Sequence, residues 1–171
     1  MALTKVTGAG IGTVTNTFAT SNIPTLTATQ FPTGAVLQVL NTFDERTAFN
    51  LSTSFQEFLN VTITPSNSST KILVLVTITA DLIGDSHFDA KLERDISGGA
   101  TTEIGGTNMF TDTGNHGSAN QHGIGYSMSF LDTHGTTSAV EYKFSMKENS
   151  GGDVRMSNTG PASITVMEIK A

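Results

Sequence analysis

The stretch Ser138-Ala-Val-Glu-Tyr-Lys-Phe-Ser-Met-Lys147 decides the fold. Val140, Tyr142, Phe144 and Met146 alternate with Glu141, Lys143, Ser145 and Lys147. An extended backbone then puts the apolar set in a core and the polar set in water. Ile124 to Asp132 repeats the device, with Tyr126, Met128 and Phe130 alternating with Ser127, Ser129 and Leu131. The link Asp132-Thr-His-Gly-Thr-Thr137 is rich in turn residues, which predicts that the two strands form an antiparallel hairpin. Lys71 to Ala80 differs, because Ile72-Leu-Val-Leu-Val76 is apolar on both faces. That pattern belongs to a central strand covered on both sides, or covered on one side by a neighbouring subunit.

Outward from these three, strands are expected over Gly34–Asn41, Gln56–Thr64, His87–Arg94, Thr101–Phe110, Asp153–Ser157 and Ser163–Lys170, about nine in all. Asn50–Phe55 could hold a helical turn, and Pro65–Thr70 reads as a Ser/Asn turn. Composition agrees, with 28 Thr, 16 Ser and 17 Gly in 171 residues and few good helix formers. Regularly spaced short strands without a convincing helix define an all-β antiparallel sandwich or jelly roll over residues 34–171.

Residues 1–33 form a segment of another kind. Lys5 is its only charged side chain, ten Thr are spread along it, and its apolar residues keep no steady period. A solvated tail is usually rich in charge or proline, so this segment is expected to be an extended arm that lies on a surface, the alternative being two extra strands of the same domain. Val6, Ile11, Val14, Phe18 and Phe31 are its candidate docking residues. About 30 extended residues reach on the order of 100 Å, enough to cross a neighbouring subunit.

Composition also excludes. Lys plus Arg number 9 against 15 Asp plus Glu, a formal net charge of -6, so binding nucleic acid or anionic lipid by counterion release is not expected. No Cys means no thiol nucleophile and no cysteine zinc site. No apolar run is long enough for a membrane helix, and residues 1–12 lack the basic start and apolar core of a signal peptide, so synthesis in the cytoplasm is expected.

Four stretches carry a family resemblance: Val61-Thr-Ile-Thr-Pro-Ser66 with Thr70-Lys-Ile-Leu-Val74; Leu92-Glu-Arg94 with Ile104-Gly-Gly-Thr107; Phe130-Leu-Asp-Thr-His-Gly-Thr-Thr137 with Tyr142-Lys-Phe144; and Ser163-Ile-Thr-Val-Met-Glu-Ile169. They resemble a domain recurrent in tailed-bacteriophage virion proteins, itself similar to the homotrimeric jelly rolls of tumour necrosis factor and complement globular heads. The resemblance covers roughly residues 56–170. Leu3-Thr-Lys-Val6 is similar to the start of many phage fibre-like proteins. Two departures stand out: His134 occupies the place of a proline, and the glycine expected shortly after Arg94 is displaced to Gly98 and Gly99.

The resemblance implies a homotrimeric virion protein with no enzymatic activity and no cofactor. Its partners would be its own copies and the major capsid protein or neighbouring virion subunits. Burial points the same way. Ile72–Val76 together with Tyr126, Met128, Phe130, Tyr142 and Phe144 needs a second sheet, a partner, or both to bury it, which makes those five aromatic and Met residues candidates for the core or the trimer interface. Two roles compete: a capsid decoration protein docked by its arm, or a tail-fibre tip that recognises the host through Asn115, His116, Asn120, His122 and His134 in the loops at 111–123 and 132–137.

Metal and catalytic patterns are weak. His116 and His122 match neither a helical nor a strand ligand pair, so no metal is expected. Asp81, Asp85 and Asp89 recur every four residues, unlike an EF-hand, and read as caps of a turn. Asp132, His134 and Ser138 have the residue types of a hydrolytic triad but lie on one turn without a nucleophile elbow. Gly8-Ala-Gly-Ile-Gly12 lacks the strand and helix of a dinucleotide site.

Overall fold

The computed structural model describes residues 30–44, 49–83, 86–106, 110–112, 121–149, 153–156 and 160–171. The arm residues Val6, Ile11, Val14 and Phe18 and the Gly8–Gly12 segment lie outside them. The described residues form eleven strands: β1 Val36–Asp44, β2 Phe49–Asn50, β3 Gln56–Ile63, β4 Lys71–Ile83, β5 Phe88–Ile96, β6 Thr102–Ile104, β7 Phe110–Asp112, β8 Gln121–Asp132, β9 Val140–Glu148, β10 Asp153–Met156 and β11 Ala162–Ile169. The nine expected become eleven because the expected strand at 101–110 divides into β6 and β7, and because β2 forms where a helical turn was expected nearby. Leu51 donates its N–H to Val154 O at 3.0 Å, carrying that pairing past β2 and leaving no helix there.

All pairs are antiparallel and fall into two sheets. Sheet A has β4 between β8 on one side and β11 followed by β10 on the other, with β1 beyond β11 and β2 beyond β10. Sheet B runs β3-β9-β5-β6, with β7 also on β5. Successive long strands alternate between the sheets, so the chain winds around one core as a jelly roll. This corrects the expected hairpin: β8 pairs with β4 in sheet A, and β9 pairs with β3 and β5 in sheet B. Alternation determines which side of each strand faces the core, and two walls of one sandwich satisfy it as well as two neighbours in one sheet.

The inward sides are Ile72, Val74, Val76, Ile78, Ala80 and Leu82 of β4, Ile164 and Val166 of β11, and Phe88, Leu92, Val140, Tyr142, Phe144 and Met146 from sheet B. Tyr142 and Phe144 are thus core residues, and Tyr126, Met128 and Phe130 pack half-buried against the same core from β8. Phe88 meets Tyr126 edge-on across the sheets at 5.1 Å between ring centroids. The hydrophobic effect supplies about 1.5–3 kcal/mol for each such side chain taken out of water.

The displaced glycines shape the turn after β5. Ser97 and Gly98 both take left-handed φ (56° and 72°), and Gly99 N–H closes on Ile96 O at 3.1 Å. The primed-type turn that results needs a residue tolerant of positive φ, and Gly98 supplies one.

Candidate interaction surface

The outward sides of the two sheets differ. On sheet B, β5 presents Asp89, Lys91, Glu93 and Asp95, and β9 presents Glu141, Lys143, Ser145 and Lys147. These groups neutralise one another: Lys91 Nζ lies 2.7 Å from Glu93, Lys143 Nζ 3.1 Å from Glu141 and 4.0 Å from Asp95, and Lys147 Nζ 3.2 Å from Asp89. Ser145 Oγ donates to Glu93 at 3.0 Å. The ammonium groups of Lys91 and Lys147 stand 4.6 and 5.1 Å from the centre of the Phe55 ring. The Glu141 carboxylate, through its hydrogen bond, raises the Lys143 pKa above the ordinary lysine value. A lattice of this kind is at home in water.

Across β1, β11, β4 and β8 sheet A presents rows without charge, and its outward charges gather on β10, where Arg155 Nη2 lies 2.7 Å from Asp153. Register aligns Val39, Met167, Leu73 and Leu131 across β1, β11, β4 and β8, so one row is apolar from edge to edge. The next row is Asn41, Thr165, Leu75 and Ser129, followed by Phe43, Ser163, Thr77 and Ser127. At the other end Val36 pairs with Ile169, and Lys71 stands at that margin. Val39 and Phe43 are each 51% exposed and Leu131 49%, while Leu73, Leu75 and Met167 are half-buried. The outer side of Ile72–Val76 is therefore covered only in part, although its residue types call for full burial. An open groove of about 250 Å³ runs between β4 and β8, lined by Leu75, Thr77, Ser127 and Ser129 among others.

At one end of the sandwich the sequence phrases of the resemblance converge on two polar knots. Arg94 Nη1 donates to both oxygens of Asp132 at 2.8 Å, and Tyr142 OH donates to Asp132 Oδ2 at 2.7 Å. Burial and the Asp132 hydrogen bond push the Tyr142 phenol far above its ordinary pKa, so it stays a donor. Asp132 ends β8 in sheet A, whereas Arg94 and Tyr142 are register partners in sheet B, so this knot ties the two walls. The second knot surrounds Glu168, which is fully buried. Its Oε1 accepts from Ser66 N–H at 2.8 Å, Ser66 Oγ at 2.7 Å and Thr70 Oγ1 at 2.7 Å, and its Oε2 accepts from Gln38 Nε2 at 2.7 Å. Burial pushes its pKa up, but the hydrogen bonds outweigh burial and hold the carboxyl below its ordinary value.

The sequence-derived candidates are distributed across this frame. His134 is buried, with Nε2 3.3 Å from Thr70 Oγ1 and Nδ1 accepting from Thr136 N–H at 3.3 Å. It is a structural residue beside the Glu168 knot, and this corrects its place among the receptor-binding loop residues. The position that a proline was expected to hold is filled here by a side chain that fastens the link to Thr70. Asn115, His116 and Asn120 lie outside the described residues, and His122 of β8 pairs by its backbone with Leu82 of β4. Asp132 is engaged by Arg94 and Tyr142, and Ser138 N–H donates to Thr136 Oγ1 at 3.0 Å, so Asp132, His134 and Ser138 build no proton relay.

Asp81 and Asp89 are not caps of a turn. Both are buried within strands β4 and β5, because β4 continues to Ile83 with Asp81 opposite Arg155 of β10, while Asp85 lies outside the described residues. No group of three or more His, Cys, Asp or Glu able to hold a metal exists among the described residues. Of the arm candidates, Phe31 alone is described: its carbonyl accepts from Lys170 Nζ, and Gly34 N–H donates to Lys170 O at 2.8 Å, fixing the start of the domain to the end of β11.

No protein-family model matches the chain, and no curated protein does either. Solved structures show broad likenesses. Over 78% of the chain it is similar to the VP2 subviral particle of infectious bursal disease virus, with 11% identity and a TM-score of 0.45, and to the Gx strain of that virus, with 8% identity and a TM-score of 0.42. In both cases it spans 37% of the viral chain. Over 81% of its length it is also similar to the CBM22-1 xylan-binding domain of Paenibacillus barcinonensis Xyn10C, with 11% identity, a TM-score of 0.32 and 97% of that domain covered. At these identities and TM-scores the likenesses carry no functional reading.

Proposed function

We propose that the chain is a non-enzymatic structural subunit of a tailed-phage virion, a homotrimer that decorates the capsid and is held there by residues 1–33. The observation that carries the reading is the contrast between the two outer faces: one is an ion-paired lattice fit for solvent, the other holds three uncharged rows across β1, β11, β4 and β8 fit for contact. The phage-like phrases at 56–170 give the setting. In that role the work is mechanical. Three arms act together through effective concentration, and clamping several shell subunits raises the energy needed to part them. Val6, Ile11, Val14, Phe18 and Phe31 are the docking residues of this reading.

Quantitative protein analysis of purified particles, with and without tails, tests it. Hundreds of copies per tailless head support decoration. A few to some tens of copies that leave with the tails would assign the chain to a fibre tip, and absence from particles would refute the virion role.

A further inference from the structure

We infer that the outer face of sheet A is buried against a second copy of this chain. The inference rests on the homotrimer reading and deepens it by naming the surface through which copies meet. Four strands spaced about 4.8 Å apart, with three rows of side chains about 7 Å apart, make a face of roughly 400 Å². That is about half of the ~800 Å² that one partner gives to a stable interface. The adjoining edge of β8 adds to it, for β8 pairs with β4 on one side and with no strand on the other among the described residues.

Charge selects the occupant. The chain carries a formal net charge of -6, so identical copies repel wherever their charged surfaces approach. The rows through Val39, Leu73, Leu75 and Leu131 hold no charged side chain, and there two copies meet without repulsion. A different partner would gain selectivity from complementary charge, and these rows have none to complement, the Arg155–Asp153 pair on neighbouring β10 being neutralised within its own strand; permanent contacts between like subunits are the more apolar kind. Sheet B, with its charges already paired among themselves, offers no such surface.

The test is the solution mass of the full chain at micromolar concentration. The expected result is an oligomer, three times 18.0 kDa, that Leu131→Arg converts to the 18.0 kDa protomer with its β-sheet circular dichroism unchanged. Leu131 is half exposed in the protomer, so the substitution spares the core. Should that variant fail to fold, Ser129→Arg, exposed on the next row, replaces it with the same expectation.

A monomeric wild type overturns the inference, as does an oligomer that both variants leave intact. Deleting residues 2–30 is expected to leave the oligomer whole, and its dissociation would make the arm the true occupant. An oligomer of another number that Leu131→Arg dissolves upholds this face and contradicts the three-fold reading alone. Absence from particles contradicts the virion role alone.

Discussion

Sheet B turns Lys91, Glu93, Glu141 and Lys143 outward, whereas sheet A turns Leu73, Leu75, Met167 and Leu131 outward from strands of the same kind. Both sheets bury their inner sides in one core, so fold stability does not distinguish them. The difference lies in what the outer sides must meet. Paired charges hold a face in water, and a row of Val, Met and Leu across four strands is a face that water does not favour. A chain with only 14% charged residues has placed many of them on one wall. On the proposed reading, solubility and association are divided between the two faces.

Substitutions graded by size test that division. The largest effect is expected on the uncharged face: Leu73→Lys, at the middle of the apolar row, abolishes self-association outright, as read by sedimentation velocity. Next comes the tie between the walls. Arg94→Ala leaves the buried Asp132 carboxylate without its cation and is expected to cost about 3–5 kcal/mol of unfolding free energy, measured by urea denaturation. Mass per oligomer should be unchanged wherever that variant is folded, since neither outer face is altered.

Glu168→Gln comes third, at about 1–3 kcal/mol, because an amide offers a donor to one of the groups that now donate to the carboxylate. Its pH dependence has a definite sign. The native carboxyl titrates below its unfolded value, so its contribution is present above roughly pH 4–5 and is lost as pH falls through the native pKa. The wild type should lose stability on acidification in that window, and the variant should lose less. The smallest effect belongs to the charged face: Lys143→Ala, removing a partly exposed pair with Glu141, should leave both stability and association nearly unchanged. An effect on association as large as that of Leu73→Lys would erase the distinction between the faces.

Much of this was legible in the sequence, and what was not has physical causes. Alternation at Val140–Met146 and Tyr126–Phe130 revealed which sides face the core, and the doubly apolar Ile72–Val76 revealed a central strand with an outer side in need of cover. Partner choice was hidden, since a short turn-rich link fits a hairpin within one sheet and an arch between two. The bonds from Asp132 to Arg94 and Tyr142 select the arch, and the one to Arg94 reaches back to a strand on the far side of β6 and β7 in sequence. The uncharged face was hidden for a related reason: its apolar row takes one residue from each of four strands, and only register brings Val39, Met167, Leu73 and Leu131 side by side. Glu168 offered a weak signal, as the one charged residue in the otherwise apolar and hydroxyl run Ser163–Ile169. A carboxylate at an inward position predicts a cluster of donors around it.

The absence of Cys makes the most direct measurement simple. Leu131→Cys on sheet A and Lys143→Cys on sheet B each give the full chain one thiol, and the rate of maleimide labelling is compared between native and urea-unfolded protein. The account predicts that the sheet A thiol is strongly protected in the native state although Leu131 is 49% exposed in the protomer, while the sheet B thiol labels readily. Equal, rapid labelling at both positions in the native protein would contradict it.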